Sequence, residues 1–219
     1  MAISKLNYNL NTICFSLFLI ATIQCFFSAL GAESKEKFDP IAYVKSSEES
    51  LTRISENFRP EFLSSIPDPE SFESEFEKSK DSKLSNKETL TTRGKLCISY
   101  AYKGNFAKAN KIRTEVIKKW KETESAPESL DKLHGLNVIY STICIANKKF
   151  AEAEPALKLT IEDSKQSYCK DLSHGWAGTI GLALVRLHQG RRNESIELSK
   201  KSRQLEIDYD KAKASSAKE

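Results

Sequence analysis

Three segments of the chain share one pattern: an apolar helix runs into a short turn and then into a second helix. The segments span residues 96–109, 140–153 and 182–195. When they are aligned on the turn, Ala109, Ala153 and Ser195 become equivalent, at separations of 44 and 42 residues. A fixed period of this size is typical of stacked helical hairpins. The sequence therefore predicts an all-α fold in which antiparallel helical hairpins stack into a short superhelix.

The composition supports a helical protein and narrows the classes of partner. Eight glycines and six prolines in 219 residues are too few for a sandwich of many short strands. Residues 33–90 carry a net charge of −5, and residues 91–219 a net charge of +8. The acidic part could shield the basic part, or both could simply solvate helix faces. The basic clusters are short and lack interleaved aromatic residues, so no nucleic-acid partner is expected.

The first 32 residues differ from the rest. One charged residue, Lys5, precedes an apolar run over residues 13–30, and the small residues Gly31 and Ala32 follow it. This is the pattern of a secretory signal peptide, which predicts an exported protein that is secreted, periplasmic or otherwise extracytoplasmic. The alternative is an uncleaved membrane anchor, because the run approaches the ~20 residues that span a bilayer. Residues 13–30 would then be the part of the chain that contacts the membrane.

Residues 33–84 are predicted to form an acidic helical leader and a linker. Asp39 followed by Pro40 is a favourable helix start, and apolar residues up to Ile54 recur at helical spacing. This helix is predicted to end at Arg59, because the residue before a proline avoids the helical region. Residues 69–80 either form a short acidic helix or remain mobile, and residues 81–85 are typical of a linker.

Residues 85–219 are predicted to form three hairpins, at about 86–124, 127–167 and 171–212. Tight packing of two helices requires small side chains where they cross. The small residues Ala109, Ala153 and Ser195 lie one turn into each second helix, and the facing positions are also small: Cys97, Ser141 and Ala183. Large residues at neighbouring positions are predicted to fill the space between hairpins: Leu96, Tyr100, Phe106, Tyr140, Phe150 and Leu182.

The second and third segments carry a family resemblance. Residues 150–157 read Phe-Ala-Glu-Ala-Glu-Pro-Ala-Leu, and residues 182–191 contain Leu-Ala-Leu-Val followed by Gln-Gly-Arg. These resemble tetratricopeptide repeats, specifically the long repeats of kinesin light chains and their bacterial relatives. The resemblance covers about residues 88–210. It departs from the family at Cys144 and Arg186, where the family prefers tyrosine, and at Arg192, which takes the aromatic turn position.

The resemblance implies that the first helices of the hairpins line a concave groove that binds a protein or peptide. The groove residues would be Ile98, Ala101, Tyr102, Val138, Thr142, Ile145, Ile180, Leu184, Leu187 and His188. Gly94 and Ile98 stand where related repeats use Lys and Asn to clamp a terminal carboxylate, so chaperone tails are not expected ligands. An apolar groove suits an amphipathic helix or an extended apolar segment. Alternatively, the helix over residues 39–58 fills the groove, which makes Ile98 and Ile145 simply core residues.

One constellation of residues has the chemistry of a catalytic or metal site: Cys169, Asp171 and His174, with His134 elsewhere. A Cys/His hydrolase could use the thiolate as its nucleophile, and the same residues could hold a metal. The alternative is structural: Asp171 caps a helix and Cys169 is a loop residue. The structural interpretation is preferred, so no enzyme activity, metal, cofactor or small-molecule substrate is expected.

The function predicted from the sequence is that of an exported adaptor or scaffold that binds a protein or peptide partner, a role implied by the family. The alternative is a structural subunit of an envelope or secreted complex. Three cysteines, Cys97, Cys144 and Cys169, remain after cleavage of the signal, and an odd number cannot all pair within one chain. In a structural subunit Cys169 could therefore form an intermolecular disulfide.

Overall fold

The computed structural model of the protein describes residues 38–78, 86–123, 127–165 and 172–216. All secondary structure in these ranges is helical, so the predicted all-α class is confirmed. The helices are α1 (Pro40–Ser65), α2 (Pro69–Lys78), α3 (Asn86–Tyr102), α4 (Phe106–Thr123), α5 (Pro127–Ala146), α6 (Phe150–Asp163), α7 (Leu172–His188) and α8 (Arg192–Ser216). The predicted signal peptide, the linker over residues 81–85, Cys169, Asp171 and the side chains of His134 and His174 lie outside the described residues.

Three turns of the same geometry join α3 to α4, α5 to α6 and α7 to α8. In each turn the middle residue adopts the left-handed conformation, with φ of 83° at Gly104, 58° at Lys148 and 75° at Gly190. In each turn the next amide donates to the carbonyl five residues earlier, with N···O distances of 2.9, 2.7 and 2.9 Å. This pairing caps the C-terminus of the first helix and reverses the chain. The three turns therefore have equivalent backbone hydrogen bonds in the register that the sequence alignment assumed.

Small side chains are buried in both helices of each hairpin. Consecutive helices contact each other in all three pairs: α3 with α4, α5 with α6, and α7 with α8. Ala109, Ala153 and Ser195 are fully buried in the second helices. Cys97, Ser141 and Ala183 are equally buried in the first helices. Asn105 caps α4 as expected for a turn asparagine, since its Oδ1 accepts from the amide of Lys108 at 3.3 Å.

The leader helix is longer than predicted. Asp39 caps it, since its Oδ1 accepts from the amides of Ile41 at 2.9 Å and Ala42 at 3.2 Å. The predicted end at Arg59 is wrong, because α1 continues through Pro60 to Ser65. Proline inside a helix costs about 3 kcal/mol, but residues beyond it gain burial: Phe62 and Ile66 are both buried. Tertiary packing therefore overrides the local preference.

Helix α1 lies against the first helices of all three hairpins. It contacts α3, α5 and α7, and it also contacts α8. Its buried face combines the apolar residues Val44, Leu51 and Phe62 with the small residues Ser47 and Ser55. The Ser47 hydroxyl donates to its own helix, to the carbonyl of Tyr43 at 2.8 Å, so its burial leaves no unpaired hydroxyl. The small serines permit close approach while the larger residues exclude water.

Glycines on α7 bring its backbone close to α6. A Cβ atom added at Gly178 would lie 3.0 Å from Ile161 Cγ1 and 3.3 Å from the carbonyl oxygen of Leu157. That space is too small for an ordinary methyl contact with a backbone atom. By contrast, a Cβ at Gly94 in α3 would meet only Leu136 side-chain atoms at 4.0 Å. The close approach of α6 therefore leaves no room for a side chain at Gly178, whereas the space beside Gly94 can hold a methyl group.

Substitution of these two glycines by alanine should have opposite effects. Gly178→Ala should lower the free energy of unfolding by about 1–3 kcal/mol, because it overpacks the α6–α7 contact. Gly94→Ala should raise it by roughly 0.5–1 kcal/mol, because alanine favours a helix interior and meets no clash there. Urea denaturation followed by circular dichroism measures both. A stabilising Gly178→Ala would contradict the close approach of α6 and α7.

Candidate functional site

The candidate site is the surface formed by the first helices of the three hairpins. Of the ten residues predicted to line an open groove, eight are buried: Ile98, Ala101, Tyr102, Val138, Thr142, Ile145, Ile180 and Leu184. Leu187 is partly exposed, and His188 is exposed. Helix α1 contacts each of the helices that carry these residues. Two of the ten contact it directly: the Tyr102 hydroxyl donates to the carbonyl of Ser55, and His188 lies against Glu48. These contacts are those expected if the leader helix fills the groove, and that alternative stays a prediction.

The N-terminal part of α1 is held to the third hairpin by a hydrogen-bonded chain. The Tyr43 hydroxyl donates to Glu206 Oε2 at 3.1 Å and accepts from Trp176 Nε1 at 2.9 Å. Burial and the neighbouring Glu206 carboxylate raise the pKa of Tyr43, so its hydroxyl keeps the proton that it donates. Glu206 is only 1% exposed, and it also accepts from Arg203 Nη1 at 2.5 Å. This chain joins α1 to both helices of the hairpin.

The middle of α1 reaches the turns of two hairpins through one carboxylate. Glu48 accepts from Lys148, in the left-handed position of the second turn. Its other oxygen lies 3.1 Å from His188 Nε2, at the end of α7. Burial by itself raises the pKa of Glu48. The hydrogen bonds from Lys148 and His188 together lower the pKa by more than burial raises it, so the net shift is downward. The His188 ring also stacks on Phe150, with centroids 4.1 Å apart. Glu48 thus connects the second and third hairpins.

The C-terminal half of α1 packs on the first hairpin through Tyr102. The Tyr102 hydroxyl donates to the backbone carbonyl of Ser55 at 3.0 Å, and its ring lies 5.9 Å, centroid to centroid, from Phe62. Burial raises the pKa of Tyr102 to about 12, so the hydroxyl remains a donor at neutral pH. Helix α1 is therefore fixed to all three hairpins by specific polar contacts in addition to its apolar face.

Helix α2 adds acidic contacts on the first hairpin. Glu73 accepts from the Tyr100 hydroxyl at 2.8 Å and pairs with Lys108 at 2.5 Å. Glu77 pairs with Arg93 at 2.7 Å. Burial raises the pKa of Glu73, but its hydrogen bonds from Lys108 and Tyr100 produce a net decrease. Together with Glu48, these contacts place leader carboxylates directly on basic groups of the hairpins, as expected if the acidic part shields the basic part.

An ion pair explains one departure from the repeat pattern. Arg186 stands at a position where the tetratricopeptide repeats that the sequence resembles prefer tyrosine. Its side chain is only 6% exposed. Its two terminal nitrogens donate to the two carboxylate oxygens of Glu154, both at 2.8 Å. The hydrogen bond from Arg186 and those from Lys158 and Gln189 hold the pKa of Glu154 well below its usual range. Glu154 and Arg186 are far apart in sequence, so only a structure could pair them.

The two cysteines in the described ranges are buried and unreactive at neutral pH. Cys97 and Cys144 are buried free thiols, and burial raises the pKa of each to about 12. A thiol with so high a pKa is a poor nucleophile at neutral pH. Within the described ranges, His, Cys, Asp and Glu side chains form no group of three suited to hold a metal. Over the same ranges, the helices lack the length and apolarity to cross a bilayer.

Glu48 should make stability depend on pH. Because the folded-state pKa of Glu48 is below its unfolded value, its stabilising contribution is full above the unfolded pKa and is lost as pH falls through the folded pKa. Glu48→Gln should therefore cost about 1 kcal/mol at pH 7 and much less at pH 3. Urea midpoints at both pH values measure this difference. Glu49→Gln, on the exposed face of α1, is the matched control, and an equal loss in both variants would contradict the role of Glu48.

Comparisons with known proteins do not place this chain in a family. No family model matches it, and neither the curated proteins nor the solved structures gave a significant match. The function must therefore be inferred from the chain's own residues and contacts. The most informative of these are the contacts of α1 with the first helices of all three hairpins and the polar contacts that hold α1 there.

Proposed function

We propose that the protein is an exported, non-catalytic adaptor whose tetratricopeptide-like hairpins form a groove for an amphipathic helix. In the free protein, α1 takes the place of that ligand. A partner helix binds by exchanging with α1, so the partner and the leader compete for one surface. The observation that carries the proposal is the burial of α1 against the first helices of all three hairpins.

The contacts of α1 define what a partner helix needs. Val44, Ser47, Leu51, Ser55 and Phe62 are all buried and follow one stripe of the helix. A partner therefore requires apolar residues separated by small ones at the same spacing. This is the helix-in-groove mode of peptide recognition, in which one apolar face supplies the affinity. Polar groups equivalent to Tyr43 and Glu48 would fix its position along the groove.

Repetition of the hairpin supports a tetratricopeptide-like superhelix. The three turns share their hydrogen bonds and their left-handed middle residue, and α3, α5 and α7 form successive contacts, α3 with α5 and α5 with α7. Stacked hairpins of this kind have extended surfaces that bind other chains. Export is proposed from the apolar run over residues 13–30 and the small residues that follow it.

A rigid structural subunit is the second candidate function, and the same burial favours it. If α1 never leaves the groove, the eight covered residues belong to a permanent core. Partners would then bind the outer helices α4, α6 and α8. The two candidates differ in one property, which is whether another helix can replace α1.

An exchange experiment separates these functions. Val44→Asp combined with Leu51→Asp places two charges on the buried face of α1 and leaves the hairpins unchanged. A fluorescently labelled peptide with the native sequence of residues 38–66 should bind this variant at least tenfold more tightly than it binds the native chain, because α1 no longer competes. Fluorescence anisotropy measures the two dissociation constants. Ser46→Asp combined with Asn57→Asp, on the exposed face, should bind the peptide no better than the native chain.

Two further samples complete the test. A peptide that carries Val44→Asp and Leu51→Asp should not bind any of the proteins. Tyr43→Phe combined with Glu48→Gln is a milder chain variant that removes polar contacts without placing charge in the core. The adaptor proposal fails if the Val44→Asp/Leu51→Asp variant and the Tyr43→Phe/Glu48→Gln variant both keep their helix content and neither binds the native peptide. In that case α1 cannot be replaced. The structural-subunit proposal would then stand.

A further inference from the structure

The middle residue of the second turn carries a side chain where the other two turns have glycine. Lys148 has a φ of 58°, and the equivalent residues are Gly104 and Gly190. Within the described ranges, Lys148 is the one residue other than glycine with a positive φ. A Cβ atom makes this conformation less favourable than it is for glycine. Glycine would therefore suit the backbone of this turn better, which points to a use for the lysine ammonium.

Each hairpin directs one polar side chain from the region of its turn to α1. The first helices of the hairpins end at Tyr102, Ala146 and His188. The Tyr102 hydroxyl donates to a backbone carbonyl of α1 at 3.0 Å, and His188 Nε2 lies 3.1 Å from the Glu48 carboxylate. Ala146 has no polar side chain, and Lys148, two residues later, donates to Glu48 instead. Lys148 thus supplies the contact that the first helix of the second hairpin lacks.

Lys148 and His188 bind the two oxygens of one carboxylate. The Lys148 ammonium donates to Oε1 of Glu48, and His188 Nε2 lies 3.1 Å from Oε2. Since the net shift of the Glu48 pKa is downward despite burial, the carboxylate is ionised at neutral pH and can only accept, so His188 Nε2 carries the proton. The Phe150 ring stacks on the imidazole, with centroids 4.1 Å apart, and restricts the orientation of that donor. Donors from two hairpins therefore converge on one carboxylate.

We propose that Lys148 and His188 form a specificity site that selects partner helices with a carboxylate at one position. This inference rests on the proposed exchange of α1 for a partner helix. Even with α1 in place, the two side chains are 61% and 35% exposed, so an arriving helix can reach them. The partner is an amphipathic helix whose Glu or Asp directly follows the small residue equivalent to Ser47 and lies three positions before the apolar residue equivalent to Leu51. A glutamine at this position would lose the charge-assisted hydrogen bonds, and a lysine would face the Lys148 ammonium.

Peptides that differ at one position test the site. The protein is the Val44→Asp/Leu51→Asp chain, and the labelled peptides cover residues 38–66. The peptide with Glu48→Gln should bind about fivefold more weakly than the native peptide, a modest factor because Lys148 is largely exposed. The peptide with Glu48→Lys should bind more weakly still. The peptide with Glu49→Gln, changed on the exposed face, is the matched control and should bind like the native peptide.

Protein variants show whether the preference comes from this site. Glycine suits the left-handed backbone and removes the ammonium. Adding Lys148→Gly to the protein should therefore reduce the difference between the native and Glu48→Gln peptides to less than about twofold. Lys149→Gly, at the next residue, removes an exposed lysine whose side chain makes no capping hydrogen bond, and it should keep the difference. A general loss of positive charge would affect both variants alike. Fluorescence anisotropy measures each dissociation constant.

The results separate this inference from the function on which it rests. If the native and Glu48→Gln peptides bind equally well, or if Lys148→Gly keeps the full preference, the specificity site is overturned while the adaptor proposal stands. If no peptide binds, the adaptor proposal fails and the partner requirement fails with it. The Tyr43→Phe/Glu48→Gln chain, whose apolar face is unchanged, serves for the same measurements if the charged variant loses its helix content.

Discussion

The apolar face of α1 is buried on a surface to which all three hairpins contribute. Three hairpins are near the minimum for a stable helical array, and each leaves the inner face of its first helix without a partner inside the hairpin. Buried apolar area contributes roughly 25 cal/mol per Å², so a single helix across all three faces adds to the stability of every hairpin at once. The stability of the three hairpins and the burial of α1 therefore depend on each other.

Polar contacts determine where α1 lies along the surface of the three hairpins. Apolar packing alone is non-directional, and a helix could shift along such a surface by one turn. Tyr43 contacts the third hairpin, Glu48 the second, and the carbonyl of Ser55 the first. Such a shift would break all of these contacts together. The contribution of each to stability is modest, but together they select one register, which is also what an exchanging partner helix would have to reproduce.

The sequence predicted the repeated elements well because their signals are local. Gly104 and Gly190 mark left-handed turns, and the small residues at 109, 153 and 195 recur at helical register from those turns. Lys148 adopts the same left-handed conformation although it is not a glycine. Only the alignment of its segment with the other two turns predicts a turn at this position. Asp39 and Pro40 likewise predicted the start of α1 correctly. These features need only neighbouring residues to be recognised.

Long-range contacts could not be predicted in the same way. The continuation of α1 through Pro60 depends on burial of Phe62 and Ile66, which the local sequence does not report. Arg186 departs from the repeat pattern in the third hairpin, and its ion pair with Glu154 links that hairpin to the second. The sequence also cannot decide whether α1 or a partner helix packs on the apolar faces of the first helices, since those faces have the same sequence pattern in both cases. The burial of Arg113, which is 3% exposed, was not predictable either, because a charged residue on a helix is ordinarily solvated.

Hydrogen exchange of the full-length chain tests the central claim most directly, because it reports how firmly α1 is held in the groove. If α1 fills the groove, the amides between residues 44 and 62 should exchange nearly as slowly as those of α5, with protection that falls only when the groove opens. If those amides exchange at the rate of an isolated helix while α3 to α8 remain protected, then α1 does not fill the groove, and the hairpins are stable without it.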